Sequence, residues 1–364
     1  MSTWRNRNHQ ARTSSSDSRG RGSWRGRGRG SATVSANRRM ENIASVSRSS
    51  GLQEDGDALK NFKTQEEYRV FIADKLTEFW KRYPQAGSGT PSQQQIEVQE
   101  NILILFRKLR EGIVSSKRQD QFALEGKDKP GNLSIYETSL HLATLFHSPK
   151  QINSIIPHLV PDLYSQVAES RTQRRLASVL ISLLHQLVQE FPSQGSYYTF
   201  LRSIPESLLP RKSEAYLWLD AIASTLRVHN HYKFERLTSP TSFSSFLADG
   251  LDSAPLENRV AALSISSQSE NDLLIKAFHS VIDDLRGKAR ESAWTVIRSA
   301  YREISCHTDS PTREWLAQSL ALRMVLSDNH SMTVDQWLQD KFSENHVRPK
   351  EGVEGRWIIS KAPR

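Results

Sequence analysis

The chain has 364 residues, of which 37% are apolar and 24% charged, and a formal net charge of +9. All of that net charge falls in residues 1–50, which hold 11 Arg, no Lys and only Asp17 and Glu41 as acids; residues 51–364 then carry 38 basic and 38 acidic groups. The single Cys306 excludes an internal disulfide framework and points to a reducing compartment, and the longest apolar stretch, 176–188, is broken by Ser178, Ser182, His185 and Gln186 before it reaches membrane length.

The expectation is therefore a soluble intracellular protein in two parts: a cationic tail, where polyanion affinity concentrates, and an electrically balanced body. The tail, residues 1–60, is expected to be disordered. Its centre runs from Arg19 to Gly30 with five Arg-Gly dipeptides in 12 residues. Such a segment has too little apolar area to offset the entropy of ordering. Guanidinium groups pair with phosphates and stack on bases, and Trp24 and Trp4 add aromatic faces. Arg19, Arg21, Trp24, Arg25, Arg27 and Arg29 are thus the candidate RNA-binding residues. An Arg- and Ser-rich start also describes a mitochondrial transit peptide, but five glycines oppose the amphipathic helix that such a peptide needs. An inert solvated tail is the other reading. No apolar stretch follows the basic start, so no secretory signal is expected.

The body reads as helix from end to end. Tyr68, Phe71, Ile72, Leu76, Phe79, Trp80 and Tyr83 form the first apolar stripe, with Thr64…Glu67 as a capping box at its start. The same signal recurs at Ser134…Glu137, Ser148…Gln151 and Thr333…Gln336, and Pro149 and Pro311 suit first helical positions. Further stripes run through Leu176, Val179, Leu180, Leu183, Leu184 and Leu187, and through Trp294, Ile297, Tyr301 and Ile304. The spacing predicts helices over 64–83, 95–112, 134–147, 149–168, 171–191, 213–229, 270–286, 288–305, 310–323 and 333–344, with shorter ones at 196–204 and 240–250. Breaks are expected at 84–91 and 126–131. After 344 come the turn residues Glu351-Gly352 and Glu354-Gly355 and the strand formers Trp357, Ile358 and Ile359, which predict a β-hairpin.

The fold class expected is mainly α: a solenoid-like helical repeat body over 61–285, ending in a small winged helix over 286–364. No fixed repeat period emerges. Trp315, Trp337 and Trp357 exceed the obvious needs of so small a module. Together with Arg356 they are the candidate partner-interface residues, and the reading that all three tryptophans are core stays open.

Catalytic chemistry finds no convergent motif. His229-Asn230-His231 lacks the strand-flanked metal site of the nuclease motif it superficially matches and reads as a polar loop or helix terminus. Cys306 beside His307 reads as a structural thiol. His141 and His147 are six residues apart and do not share a helical face, and Asp283-Asp284 reads as a solvated helix face. No phosphate loop or nucleophile elbow occurs. The expectation is no catalytic residue, no metal, no cofactor, no small-molecule substrate and no membrane contact.

Several segments carry a family resemblance. Ser213–Leu237, from Glu214-Ala215-Tyr216 through His229-Asn230-His231-Tyr232-Lys233-Phe234, resembles a recurring helix and turn of the PCI-like superfamily. Leu285-Arg286, Ala293-Trp294 and Ala300-Tyr301-Arg302-Glu303 resemble its following helix, and Trp315-Leu316…Leu320 with Trp337…Arg356-Trp357-Ile358 resembles its terminal module. Tyr136-Glu137-Thr138-Ser139 is similar to an upstream helix of the same family. The resemblance covers roughly 130–364 and spans two branches. One holds the GANP-type (Sac-three) mRNA-export scaffolds; the other holds COP9-signalosome subunit eight, a proteasome-lid subunit and initiation-factor eIF-three subunit k. The Thr-Arg…Arg-x-Asp signature of the export branch is replaced by Leu109-Arg110-Glu111-Gly112-Ile113, and 126–134 reads as an insertion. The resemblance implies a non-catalytic scaffold subunit whose winged helix pairs with other PCI modules, in the nucleus or cytoplasm. Linked to RNA through its arm, it would serve mRNA export or RNA metabolism; the alternative is a proteasome-lid, signalosome or initiation-factor subunit whose tail does not bind RNA.

Overall fold

The computed structural model describes residues 39–45, 58–84, 91–117, 135–164, 172–248, 265–308, 310–326 and 332–361. The chain divides into two compact units, Met1–Asn42 and Ile43–Arg364. The first contributes only a helical turn at 39–41 to the described residues. Everything below concerns the second, which is mainly helical.

Its elements in order are α1 (Phe62–Arg82), α2 (Gln93–Ser115), α3 (Ile135–Leu145), α4 (Pro149–Pro157), α5 (Thr172–Gln189), α6 (Gly195–Ser203), α7 (Glu214–Arg227), α8 (His231–Leu237), α9 (Ser244–Ala248), α10 (Ile265–Ala300), β1 (Glu303–Ser305), α11 (Pro311–Ser319), α12 (Val334–Ser343), β2 (Val347–Pro349) and β3 (Arg356–Ile359). Among the described residues no helix is long and apolar enough to cross a membrane.

The core is built around α3, whose residues are buried on every side except at Glu137. A helix apolar or buried all round must be enclosed by others, and α2, α4, α5 and α10 pack around it. Its polar residues find partners inside: His141 Nε2 lies 3.0 Å from Ser178 Oγ on α5, and Thr144 donates to Leu140 O at 2.9 Å. α10 lies along both α3 and α5. A second apolar cluster gathers Trp218 of α7, Phe243, Phe246 and Phe278 of α10, with ring centroids 5.2–6.0 Å apart.

Several expectations need correction. The tail was expected to reach residue 60, yet Ile43 and Leu59 are buried. Lys108 Nζ of α2 donates to Ile43 O at 2.8 Å, and Ser45 Oγ donates to the Glu111 carboxylate. Leu59 fits because position 112 on α2 is glycine: a Cβ there would stand 2.7 Å from Leu59 O. The buried Gln65 amide then ties Leu59 O, Gly112 O and Ser116 Oγ together. Helix α1 begins two residues before the Thr64 box, because the Asn61 side chain accepts from Lys63 N and Thr64 N and caps it first. Ser148 occupies the N-cap position of α4 without a side-chain cap bond. The helix expected over 149–168 bends at Val160 (φ −126°, ψ 121°), as the residue before Pro161 is disfavoured in helical backbone. The capping box at Thr333…Gln336 is present, as are Pro149 and Pro311 in the first helical turn. The Ser134 box and the 126–134 insertion lie outside the described residues.

The largest correction concerns α10. The helices expected at 270–286 and 288–305 are one continuous helix that runs through Gly287 and stops at Ala300. The boundary drawn at 285/286 therefore falls mid-helix. Residues 303–305, expected to end a helix, form β1, because strand β3 some fifty residues later offers them a ladder.

Candidate functional site

The C-terminal half of α10 and all that follows share one core. Trp294, Ile297, Ile304, Leu316, Leu320, Leu322, Val334, Trp337, Leu338, Val347 and Ile359 are buried together. The three strands form an antiparallel sheet in the order β1-β3-β2, with Ile304 opposite Trp357 and Trp357 opposite Pro349. Gly352 and Gly355 turn the β2–β3 hairpin at φ +74° and +70°, where the sequence predicts a turn. Cys306 follows β1 in this core; burial pushes its thiol up to about 11, so it is held as an inert thiol.

The candidate interface residues separate. Trp337, expected as an interface candidate, is only 4% exposed. It meets Trp294 edge-on at 6.0 Å, with Lys341 Nζ 4.4 Å and Arg290 Cζ 5.8 Å from its ring. The buried Lys341 ammonium is satisfied by Glu291 at 3.3 Å and Glu344 at 2.9 Å. A tryptophan so enclosed cannot meet a partner, and the reading that it is core holds for this residue. Trp315 and Trp357 are half-buried. Each is paired with an exposed aromatic that sequence reasoning did not single out for the surface: Tyr301, 45% exposed, at 5.6 Å from Trp315, and Phe342, 42% exposed, at 6.5 Å from Trp357. Tyr301 was expected in the core stripe with Ile304. The helix stops at Ala300, before both of them, so Ile304 reaches the core from a strand and Tyr301 is left outside.

Arg356 is exposed and donates to Glu303 at 3.3 Å, while Lys350 donates to the same carboxylate at 3.0 Å. The Lys350 hydrogen bond chiefly holds the Glu303 carboxyl below its usual range. Across the module, the exposed residues of α12 include Asp335 and Asp340, and exposed Glu344 follows its last residue. Among the described residues only Asp335 there meets an arginine, Arg313.

One face of α10 joins the module to the helices before it. Arg290 donates to Leu320 O at 3.0 Å and Ala321 O at 2.9 Å, satisfying carbonyls at the end of α11. The Asp283 carboxylate accepts from Val325 N and Leu326 N at 2.9 Å, and Asp284 pairs with His147 at 3.2 Å. The solvated acidic face expected at Asp283-Asp284 is thus a clamp on neighbouring segments. Buried Arg286 donates to Thr238 Oγ1 at 2.6 Å and lies 3.6 Å from the Glu235 carboxylate.

His229 takes a left-handed turn (φ 53°) between α7 and α8, the helix-terminus role expected of it. Among the described residues no group of three or more His, Cys, Asp or Glu is placed to hold a metal ion. The expected RNA-binding residues Arg19, Arg21, Trp24, Arg25, Arg27 and Arg29 lie outside the described residues. Compared with protein families, with curated proteins and with solved structures, the chain matches none.

Proposed function

We propose that this chain is a non-catalytic scaffold subunit of PCI type: a helical repeat body, a C-terminal winged helix that docks a partner subunit, and an arginine–glycine arm that holds RNA, acting in mRNA export or RNA metabolism in the nucleus or cytoplasm. The observation that carries the docking role is the pair of aromatic contacts left at the module's surface, Tyr301–Trp315 and Phe342–Trp357. Large aromatics that are only half-covered are the residues that anchor protein interfaces. The order helix, strand, helix, helix, hairpin from α10 to β3 supports the winged-helix reading. The charge of α12 supports a protein partner over a duplex. In that reading α12 is the helix that would enter a groove, and its Asp335 and Asp340 would face phosphates.

The non-catalytic reading draws support from where the strongly shifted groups lie. Arg110, lowered to about 10, Tyr136, raised to about 12, and His185, lowered to about 4, are buried in the core and owe their shifts chiefly to that burial. Catalytic sites bring such groups together in a cleft.

The test is to purify the tagged full-length protein at high salt with nuclease and identify stoichiometric companions by mass. A PCI-type subunit that co-purifies, and is lost from a Tyr301→Ser/Phe342→Ser variant of unchanged thermal stability, supports the proposal. Companions from a proteasome-lid, signalosome or initiation-factor assembly would select the other branch. Recovery of the folded protein alone would overturn the docking role.

A further inference from the structure

We propose that the concave surface between α6 and α7 binds single-stranded RNA, as a second contact beside the arm. This extends the RNA reading above to a folded site, and the experiment below separates the two.

Two hollows adjoin there. One, of about 360 Å³, is lined by Pro192, Tyr198, Leu226, Arg227 and His229 among others. The second, of about 200 Å³, is lined by Tyr198, Leu201, Arg202, Ile204, Arg211 and Tyr216, with Glu206 as its one acid. Tyr198 belongs to both and divides them.

The dividing ring is held in place. Tyr197 turns inward and is fully buried, and its ring meets Tyr198 edge-on at 4.9 Å. At the other end Arg227 Nη1 donates to the Tyr198 hydroxyl at 3.1 Å. A flat, half-buried ring fixed at both ends is a pre-organised stacking face.

Among the lining residues three arginines stand against Glu206, with the Glu190 carboxylate at the start of α6 and Asp220 near Tyr197. Arg202, Arg211 and Arg227 are all exposed, and none makes an ion pair among the described residues. Helix-dipole complementarity would account for Arg202 and Arg227, which end α6 and α7. It does not account for Arg211, which lies in the loop between them.

The groups on offer favour RNA over an acidic peptide. A peptide strand needs backbone donors and acceptors, but the first N–H groups of α6 are already taken: Gly195 N by Ser193 Oγ and Ser196 N by the Glu190 carboxylate. What remains, beside the Glu206 carboxylate and the apolar lining, is guanidinium groups and tyrosine faces. Those are the groups that bind phosphates and unstacked bases of single strands.

The experiment measures fluorescence anisotropy of a labelled, mixed-sequence 20-nucleotide RNA with the full-length protein from 50 to 300 mM salt. Three variants are compared, each checked by thermal melting: Arg202→Ala/Arg211→Ala/Arg227→Ala, Tyr198→Leu, and an arm variant with Arg19, Arg21, Arg25, Arg27 and Arg29 changed to Ala. The triple groove variant should weaken binding and flatten the log–log salt slope by about 2, at ~0.7 for each phosphate no longer neutralised. Tyr198→Leu should weaken binding about tenfold with the slope unchanged. If both groove variants bind like the unmodified protein while the arm variant does not, the groove proposal falls and the arm reading stands. If the groove variants lose binding and the arm variant does not, the arm reading falls instead. Absence of binding by the unmodified protein overturns both. Displacement of the RNA by a polyglutamate peptide at equal charge concentration would show that charge alone is read, and would overturn the assignment to RNA.

Discussion

The two halves of α10 serve different cores. Leu274, Phe278, Val281, Ile282 and Leu285 bury themselves in the first half, Phe278 against Trp218 and Phe243 and the helix itself along α3 and α5. Ala293, Trp294 and Ile297 in the second half belong to the core of the C-terminal module. Between them, Asp283, Arg286 and Arg290 direct their charge at backbone carbonyls and amides, the Thr238 hydroxyl and the Glu235 carboxylate of neighbouring segments. A single rigid helix can therefore unite two apolar clusters while polar contacts set the join. Apolar burial supplies the bulk of the stabilisation on either side, and the directional contacts at the join determine how the segments meet.

The strongest way to break this comparison is to empty one core at a time. Trp294→Ala and Phe278→Ala should each cost about 3–5 kcal/mol. If α10 couples the cores, urea unfolding of either variant will remain a single transition by fluorescence and by circular dichroism. Two separated transitions, with proteolysis confined to 301–361 in the Trp294 variant, would show that the halves fold apart.

A smaller loss is expected at the join. Arg286→Leu removes the bond to Thr238 and leaves the Glu235 carboxylate without its buried partner, at a cost of about 3 kcal/mol. The same denaturation measurement on Thr238→Val with and without Arg286→Leu would give the coupling between them, and a coupling near zero would contradict the contact.

Acid should act on the first half. His185 on α5 is buried with its Nε2 3.2 Å from Asn153 Oδ1, and burial lowers it to about 4, against the opposing charge of Asp284. The folded protein then refuses a proton that the unfolded chain accepts below about 6.5. Stability contributed by the neutral ring is complete above that pH and falls away between 6.5 and 4. The loss at pH 5 should be about 2 kcal/mol relative to pH 7. His185→Gln should remove most of this slope, and an unchanged pH dependence would show that other groups carry it.

The smallest effect has the opposite sign. Gly287 lies mid-helix with open space where a Cβ would go. Gly287→Ala should stabilise by about 0.5–1 kcal/mol, read as a rise in melting temperature. A loss would mean that the helix needs to flex between its two cores.

Much of the helical content is legible in the chain alone. Tyr68, Phe71, Ile72, Leu76 and Phe79 are buried on the face their spacing predicts, as are Val179, Leu180, Leu183, Leu184 and Leu187. The candidate sites are less legible. Composition points to Trp315 and Trp357 but not to their exposed companions Tyr301 and Phe342. Tyr301 continues the spacing of Trp294 and Ile297, and periodicity cannot reveal that the helix has already ended. The groove residues Tyr198, Arg202, Arg211 and Arg227 come from two helices and a loop and share no pattern along the chain.

The sequence by itself determined the helical class, the position of most helices, the hairpin turn and the concentration of net charge in the first fifty residues. Each follows from residues close together in the chain, through periodicity, capping and turn chemistry. Only the tertiary structure decided that α10 is continuous, that β1 is a strand, that Asp283 clamps a loop and that Trp337 is core. These depend on groups brought together from 42 to more than 50 residues away, and local propensity carries no record of such partners.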